Sequence, residues 1–241
     1  MANKTWEPIH SESLGDGIVQ RIRTALFQDE LKPGDRVGTE VSLAATFNVS
    51  RITIRDALRS LEALGIIEIR LGGSGGAFVA KGNPDRLSDA LAIQFKLIGL
   101  SVAEIIDSQL AIESAALDLA MMNATTADIS ALGAILDAMD AARHVPAEFN
   151  KLTMDFHRAI VASAHNRFLD AQFRALSFVL EPLISHRTTP EVAARVADAY
   201  RRLVGHIADG DWPPARALFV ERMKAARERE LVVNEAGKEA G

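Results

Sequence analysis

The chain has 241 residues, 48% of them apolar and 24% charged, with no cysteine and a formal charge of −5. That length allows one large or two modest domains, and the lack of cysteine excludes disulfides, cysteine-ligated zinc and thiol catalysis. The N-terminus has no apolar signal-peptide core and no stretch approaches the roughly 18 apolar residues of a membrane span, so a cytoplasmic protein is expected.

Leu14, Ile18, Ile22, Ala25 and Leu26 recur at three- and four-residue spacing, which predicts a helix over 12–29. Pro33-Gly34 breaks that period in a turn. Thr39 can cap a short helix over 40–47, with Glu40 well placed in its first turn. After a tight turn at Asn48-Val49, Ser50 can cap a second helix over 51–64, stopped by Gly65. Residues 66–69 read as a strand, Gly72 to Gly76 as a flexible tip, and 77–79 as the returning strand of a hairpin.

Gly82-Asn83-Pro84 marks the expected domain boundary: 1–81 as one domain, 82–241 as the other. Beyond it the pattern predicts helices at about 84–99, 102–122, 126–143, 146–164, 167–186, 190–209 and 213–232. Ser101 caps the second of these. Thr125 with Asp128 opens the third in the manner of a capping box. Pro190 and Pro213 suit first turns, and the polar tail from Asn234 is expected to fray. No strand signal follows residue 80, so the fold class is mainly α.

Two short helices, a tight turn and a glycine-tipped hairpin are the order of a winged helix-turn-helix, whose second helix enters the major groove. Arg51, Arg55 and Arg59 stand at i, i+4 and i+8 and share one face; Leu58, Leu61 and Leu64 lie on another and can anchor a core. An arginine near that helix start can fork onto guanine O6 and N7. Thr53 can meet a phosphate or a thymine methyl. Arg70 and the amides of Gly72 and Gly73 can touch phosphate or the minor groove. The plain alternative is a solvated arginine stripe, outweighed by the combination of cap, turn, helix and wing. The overall acidity is no obstacle: residues 1–81 hold 10 Lys and Arg against 10 Asp and Glu, and DNA binding needs local charge on one face.

The run PGDRVGTEVSLAATFNVSRITIRDALRSLEALGIIEIRLGGSGGAFV resembles the GntR family of bacterial regulators. Pro33-Gly34, Thr39-Glu40, Leu43-Ala44, Val49-Ser50-Arg51, Arg55-x-Ala57-Leu58-x-x-Leu61, Gly65 and Gly73 carry the likeness. By it, Thr39, Ser50, Arg51, Thr53, Arg55 and Gly72 are expected to contact operator DNA. Many members have an arginine after the helix-start glutamate; here it is Val41, so operator preference is expected to differ.

The helical remainder resembles the FadR-like subfamily with its FCD effector domain, through Leu110 to Ala116, Phe156-His157-Arg158-Ala159-Ile160 and Gly210-Asp211-Trp212-Pro213-Pro214-Ala215. The resemblance implies a helical bundle around a cavity, a small organic acid as effector, and a homodimer. It also implies, in many members, a divalent metal held by one Asp and two or three His. Here His157 stands at one such position, but the others fall on Thr153, Tyr200 and Arg222, with Gln109 where an arginine is common. Arginine cannot ligate a cation and threonine does so poorly. The site is therefore expected to have lost its metal and to hold no cofactor. One reading makes His157 a hydrogen-bonded core residue. A second keeps Gln109, Thr153, His157, Tyr200 and Arg222 as an effector site, with Arg222 gripping a carboxylate by two hydrogen bonds. A third puts Arg222 on a solvated helix end beside Glu221. His10, His144, His165, His186 and His206 show no ligand spacing, although His186 or His206 could complete an unusual metal site.

Enzyme signatures are missing. There is no Gly-x-Ser-x-Gly, no His-Glu-x-x-His and no phosphate loop, and the glycines at 72–76 precede a strand where phosphate binding needs a helix. The expected function is an effector-modulated, DNA-binding transcription regulator, acting as a repressor. The alternative is a constitutive or architectural dimeric DNA binder, whose apolar helices 87–122 and 167–184 serve only dimerisation.

Overall fold

The computed structural model describes residues 14–183 and 188–239, with side chains described as far as residue 228. The described residues divide into two compact units between Asn83 and Pro84.

The first unit runs α1 (Leu14–Phe27), β1 (Arg36–Gly38), α2 (Glu40–Phe47), α3 (Arg51–Ala63), β2 (Ile67–Arg70) and β3 (Gly76–Val79). Its three strands are antiparallel in the order β1-β3-β2. The expected hairpin is present, with Ile67 opposite Val79 and Arg70 opposite Gly76. Strand β1 was not expected. Three residues, Arg-Val-Gly, carry no alternation to read, and the strand exists because β3 offers it an edge. Ile18 and Ile22 of α1, Leu43 of α2, Ile54, Ala57, Leu58 and Leu61 of α3, and Ile67 and Ala77 of the sheet form one buried core. Leu14 and Leu64 depart from their expected core roles and are exposed, each lying at the outer end of its helix.

Both helices of the motif begin on caps. Thr39 and Ser42 form a capping box at α2, and Ser50 caps α3 by accepting from the Thr53 amide. Asn48 closes α2 in the left-handed conformation at φ 53°, its amide reaching the carbonyls of Ala44 and Ala45. That single residue makes the turn tight enough for the α3 cap, Ser50, to follow two residues later.

The second unit is helical throughout its described residues: α4 (Pro84–Ile98), α5 (Val102–Asn123), α6 (Thr126–Ala141), α7 (Pro146–Ser163), α8 (Arg167–Leu180), α9 (Pro190–Asp209) and α10 (Trp212–Glu239). Helix α8 ends at Leu180 and gives way to a 3-10 turn over Glu181–Leu183, short of the expected 186; residues 184–187, with His186, lie outside the described residues, as does His10. Helix α10 continues through Glu239 where a frayed tail was expected, in keeping with the helix-forming Ala, Glu and Lys of that stretch. Two buried clusters fill the unit. One joins α5, α6, α7, α9 and α10 around Leu117, Leu136, Phe156 and Phe219; the other joins α5, α7 and α8 around Met154, Phe173 and Leu176. Helix α4 lies on α8, where Ser88 Oγ donates to the Ala171 carbonyl at 3.1 Å. No described helix is long and apolar enough to cross a membrane.

Candidate DNA-binding face and effector site

The caps bring the first turns of α2 and α3 together. Glu40 accepts from Arg55 Nε at 2.9 Å and from Arg55 Nη2 at 2.8 Å, and its Oε2 lies 3.8 Å from Arg51 Nη2. The hydrogen bond from Arg55 holds the Glu40 carboxyl below its ordinary value, aided by the charges of Arg55, Arg51 and Arg59. A guanidinium has five N–H donors in a fixed fork. The clamp uses Nε–H and one Nη2–H, which leaves the other Nη2–H and the two Nη1–H groups as donors for a guanine edge. Arg51, Arg55 and Arg59 are all exposed, and the structure brings the first two together at one carboxylate.

Other candidates are placed differently. Thr53 is half-buried, its hydroxyl 2.8 Å from Ser50 Oγ, so both side chains serve the α3 cap. The Thr39 hydroxyl likewise accepts from the Ser42 amide at 3.1 Å. In the wing, Arg70 donates to Glu68 Oε1 at 2.7 Å and lies 4.1 Å over the Phe78 ring, which draws it down onto the sheet. Gly72 and Gly73 at the tip have open space where a side chain would stand. Gly75 cannot take one: a Cβ there would meet the Arg70 carbonyl at 2.4 Å. Arg36 pins the same loop by donating to the Gly75 carbonyl at 2.8 Å.

In the helical unit, four helices converge on one polar line inside an apolar core. Glu113 of α5, 0% exposed, accepts from Gln109 Nε2 at 2.7 Å and pairs with His157 Nδ1 of α7 at 2.5 Å. The opposite ring nitrogen, Nε2, lies 3.0 Å from the Tyr200 hydroxyl of α9. Phe156 stacks on Tyr200, ring centroids 4.4 Å apart and nearly parallel, and fixes its plane. From α10, the Arg222 guanidinium sits 5.8 Å from the Tyr200 ring centroid, and its Nε is buried with no hydrogen-bond partner among the described residues. Arg222 is thus half-buried against Tyr200, not on a solvated helix end. His157 is the hydrogen-bonded core residue its context suggested. Thr153 lies one turn before His157, and its hydroxyl donates back to the Phe149 carbonyl at 2.9 Å.

Sequence reasoning placed Glu40 and Glu113 only as motif residues, without a role at either site. The Gln109–Glu113 spacing of four was a visible signal for a helical pair. The His157 partner, on another helix, left none.

These residues do not fit a divalent cation. Glu113 on Nδ1 of His157 is compatible with a metal on the other nitrogen, but the Tyr200 hydroxyl lies on Nε2, so a cation there would have to displace Tyr200. The remaining family positions hold Thr153, Tyr200 and a cation, Arg222. Among the described residues no three His, Asp or Glu cluster as a metal set.

A winged helix-turn-helix with an arginine-bearing second helix, followed by an all-helical domain whose apolar interior holds a polar line, is the organisation of a DNA-binding transcriptional regulator. Comparison with known proteins agrees. Residues 14–79 match the model of the bacterial regulatory proteins of the gntR family, and residues 104–225 match the FCD domain. The HTH-type transcriptional regulator RmpR of Mycobacterium gastri is 30% identical over 194 residues, spanning 80% of this chain and 69% of that protein. LutR of Bacillus subtilis is 24% identical over 202 residues, 80% of this chain and 90% of LutR. An Escherichia coli protein named as an L-lactate dehydrogenase operon regulatory protein is 26% identical over 220 residues, 87% of this chain and 83% of that protein. The solved structure of Streptococcus agalactiae GntR shares the fold, with a TM-score of 0.56 at 17% identity, covering 89% of this chain and 99% of that one. The chain belongs to the GntR family of bacterial regulators and carries an FCD domain. Regulators of this family bind operator DNA, and FCD domains bind small-molecule effectors.

Proposed function

We propose that the protein is a homodimeric repressor that releases its operator when a small carboxylate binds beside Arg222. Residues 1–81, with Arg51, Arg55 and Arg59 on α3 and the wing tip at Gly72 and Gly73, serve the operator. Residues 82–241 serve the effector and the dimer. A dimer suits the task because one recognition helix reads few base pairs and a two-fold protein matches a two-fold operator.

The observation that carries the effector reading is the buried, unpartnered Nε of Arg222 beside Tyr200. An unmet buried donor on a cation is costly, and a carboxylate meets it with a charge-assisted pair of hydrogen bonds. The line Gln109–Glu113–His157–Tyr200 holds the neighbouring aromatic ring in place. The name of the Escherichia coli relative ties that protein to an L-lactate dehydrogenase operon, which suits a carboxylate as the class to test. Effector binding can shift operator affinity by no more than its differential affinity for the two states.

The test is a thermal-shift screen of the full chain against mono-, di- and hydroxycarboxylates, with and without a strong chelator, repeated on Arg222→Met. The expected hit survives chelation, disappears in Arg222→Met and weakens operator binding by the wild type. A hit abolished by the chelator, or one equal in Arg222→Met, overturns the anion site. No hit across the panel favours a constitutive DNA-binding dimer.

A further inference from the structure

Ile52, in the first turn of α3, is 71% exposed and has no place in the core of its unit. The buried residues Ile54, Ala57, Leu58 and Leu61 define the inward side of the helix. At about 100° per residue, Ile52 projects roughly 160° from Ile54, about 20° from Arg59 and about 60° from Arg55. It therefore stands at the edge of the arginine face, directed away from the core. A lone exposed isoleucine on a surface is ordinary. This one is unusual in its neighbours, the exposed Arg51, Arg55 and Arg59 of the same helix, whose charge suits a polyanion.

The major groove presents one apolar feature, the C5-methyl group of thymine. A β-branched side chain is stiff at χ1 in a helix, so Ile52 offers its β-methyl group in one direction at small ordering cost. Thr53, expected to meet a phosphate or a thymine methyl, is half-buried with its hydroxyl on the Ser50 cap. Asp56, next to Arg55 in sequence, is the exposed acid on this face.

We propose that Ile52 is a specificity-determining residue that packs on a thymine methyl, next to the base read by Arg55. The proposal rests on α3 being the helix that enters the groove. It predicts an operator preference that the arginines alone cannot produce, since guanidinium forks select guanine.

Deoxyuridine removes the methyl group and nothing else, so it isolates the contact. Full-length wild type and Ile52→Ala select duplexes from a random pool, and the best wild-type duplex is remade with each thymine singly replaced by deoxyuridine. Ile52→Ala is expected to fold normally, because the site is exposed and alanine is the better helix former. One thymine per half-site is expected to lose wild-type affinity about fourfold on demethylation, the worth of one methyl taken from water. The same replacement is expected to leave Ile52→Ala binding unchanged, and the variant's selected duplexes to lose the preference for thymine there. Equal loss in both proteins, or no uridine-sensitive thymine, overturns the proposal. Failure to select any specific duplex overturns the recognition-helix reading beneath it, and the proposal with it.

Discussion

Arg55 shows how one residue is prepared before DNA arrives. A long side chain loses rotamer freedom on binding, and Glu40 has already removed part of that freedom with two hydrogen bonds. Removing Arg55 is expected to cost about 1–3 kcal/mol on a selected duplex, and far less on a scrambled one, if its fork reads a guanine. Glu40→Gln separates positioning from charge. It keeps the size but loosens the clamp and removes a negative charge from the DNA face. Its expected signature is a smaller ratio of specific to non-specific affinity, with non-specific binding unchanged or tighter, measured by equilibrium titration of both duplexes. Loss of both affinities in step would assign Glu40 a purely structural role. The arginine stripe was legible from its spacing of four. Glu40 was not, because it meets Arg55 only when α2 and α3 fold together across 15 residues of chain. Glu113 is a parallel case: its helical neighbour Gln109 could be read, its partner His157 could not. Glu113→Ala leaves two buried donors without an acceptor, so urea unfolding of the helical unit is expected to fall by about 3 kcal/mol. An unchanged midpoint would mean that water or a shifted side chain replaces the carboxylate.

At the scale of elements, the helix starts were the most readable feature and the strands the least. Thr39, Ser50, Ser101 and Thr125 all cap where their spacing placed them, because a cap is a local hydrogen bond that sequence alone can specify. Strand β1 is the opposite case, since it depends on a partner edge forty residues away. The Thr125 cap is reinforced from a distance: Asp128 accepts from the Thr125 amide and hydroxyl and lies 2.9 Å from His165 Nε2. The Thr125 hydroxyl and then its amide lower the Asp128 pKa against burial, with His165 adding to them. A carboxyl lowered in the folded state stabilises at pH above its unfolded value, and that stability is lost as pH falls through the folded value. Thr125→Ala is therefore expected to cost about 1 kcal/mol at neutral pH. Its deficit in melting temperature should shrink in acid, where Asp128 is protonated in both proteins. A deficit constant down to acid would locate the loss in packing of the threonine methyl instead.

For the whole molecule, the puzzle is an acidic protein that binds a polyanion. Its deficit lies outside the first 81 residues, where positive and negative charges balance, and balance leaves room for an arginine-rich face. Salt dependence measures that face directly, because each phosphate neutralised contributes about −0.9 to the slope of log affinity against log salt. Arg59 lies a full turn beyond Arg55 and is exposed, the position of a residue that meets the backbone rather than a base. Arg59→Ala is expected to weaken selected and scrambled duplexes alike, and to make the slope shallower. The size of the change then counts recognition helices. A dimer placing two α3 helices on one operator loses about two phosphate contacts, a monomer about one. Ile52→Ala, measured alongside, is expected to lower affinity for the selected duplex with the slope untouched, since a methyl contact releases no counterion. A slope that moves with Ile52 and stays fixed with Arg59 would mean that α3 sits in the groove in another register.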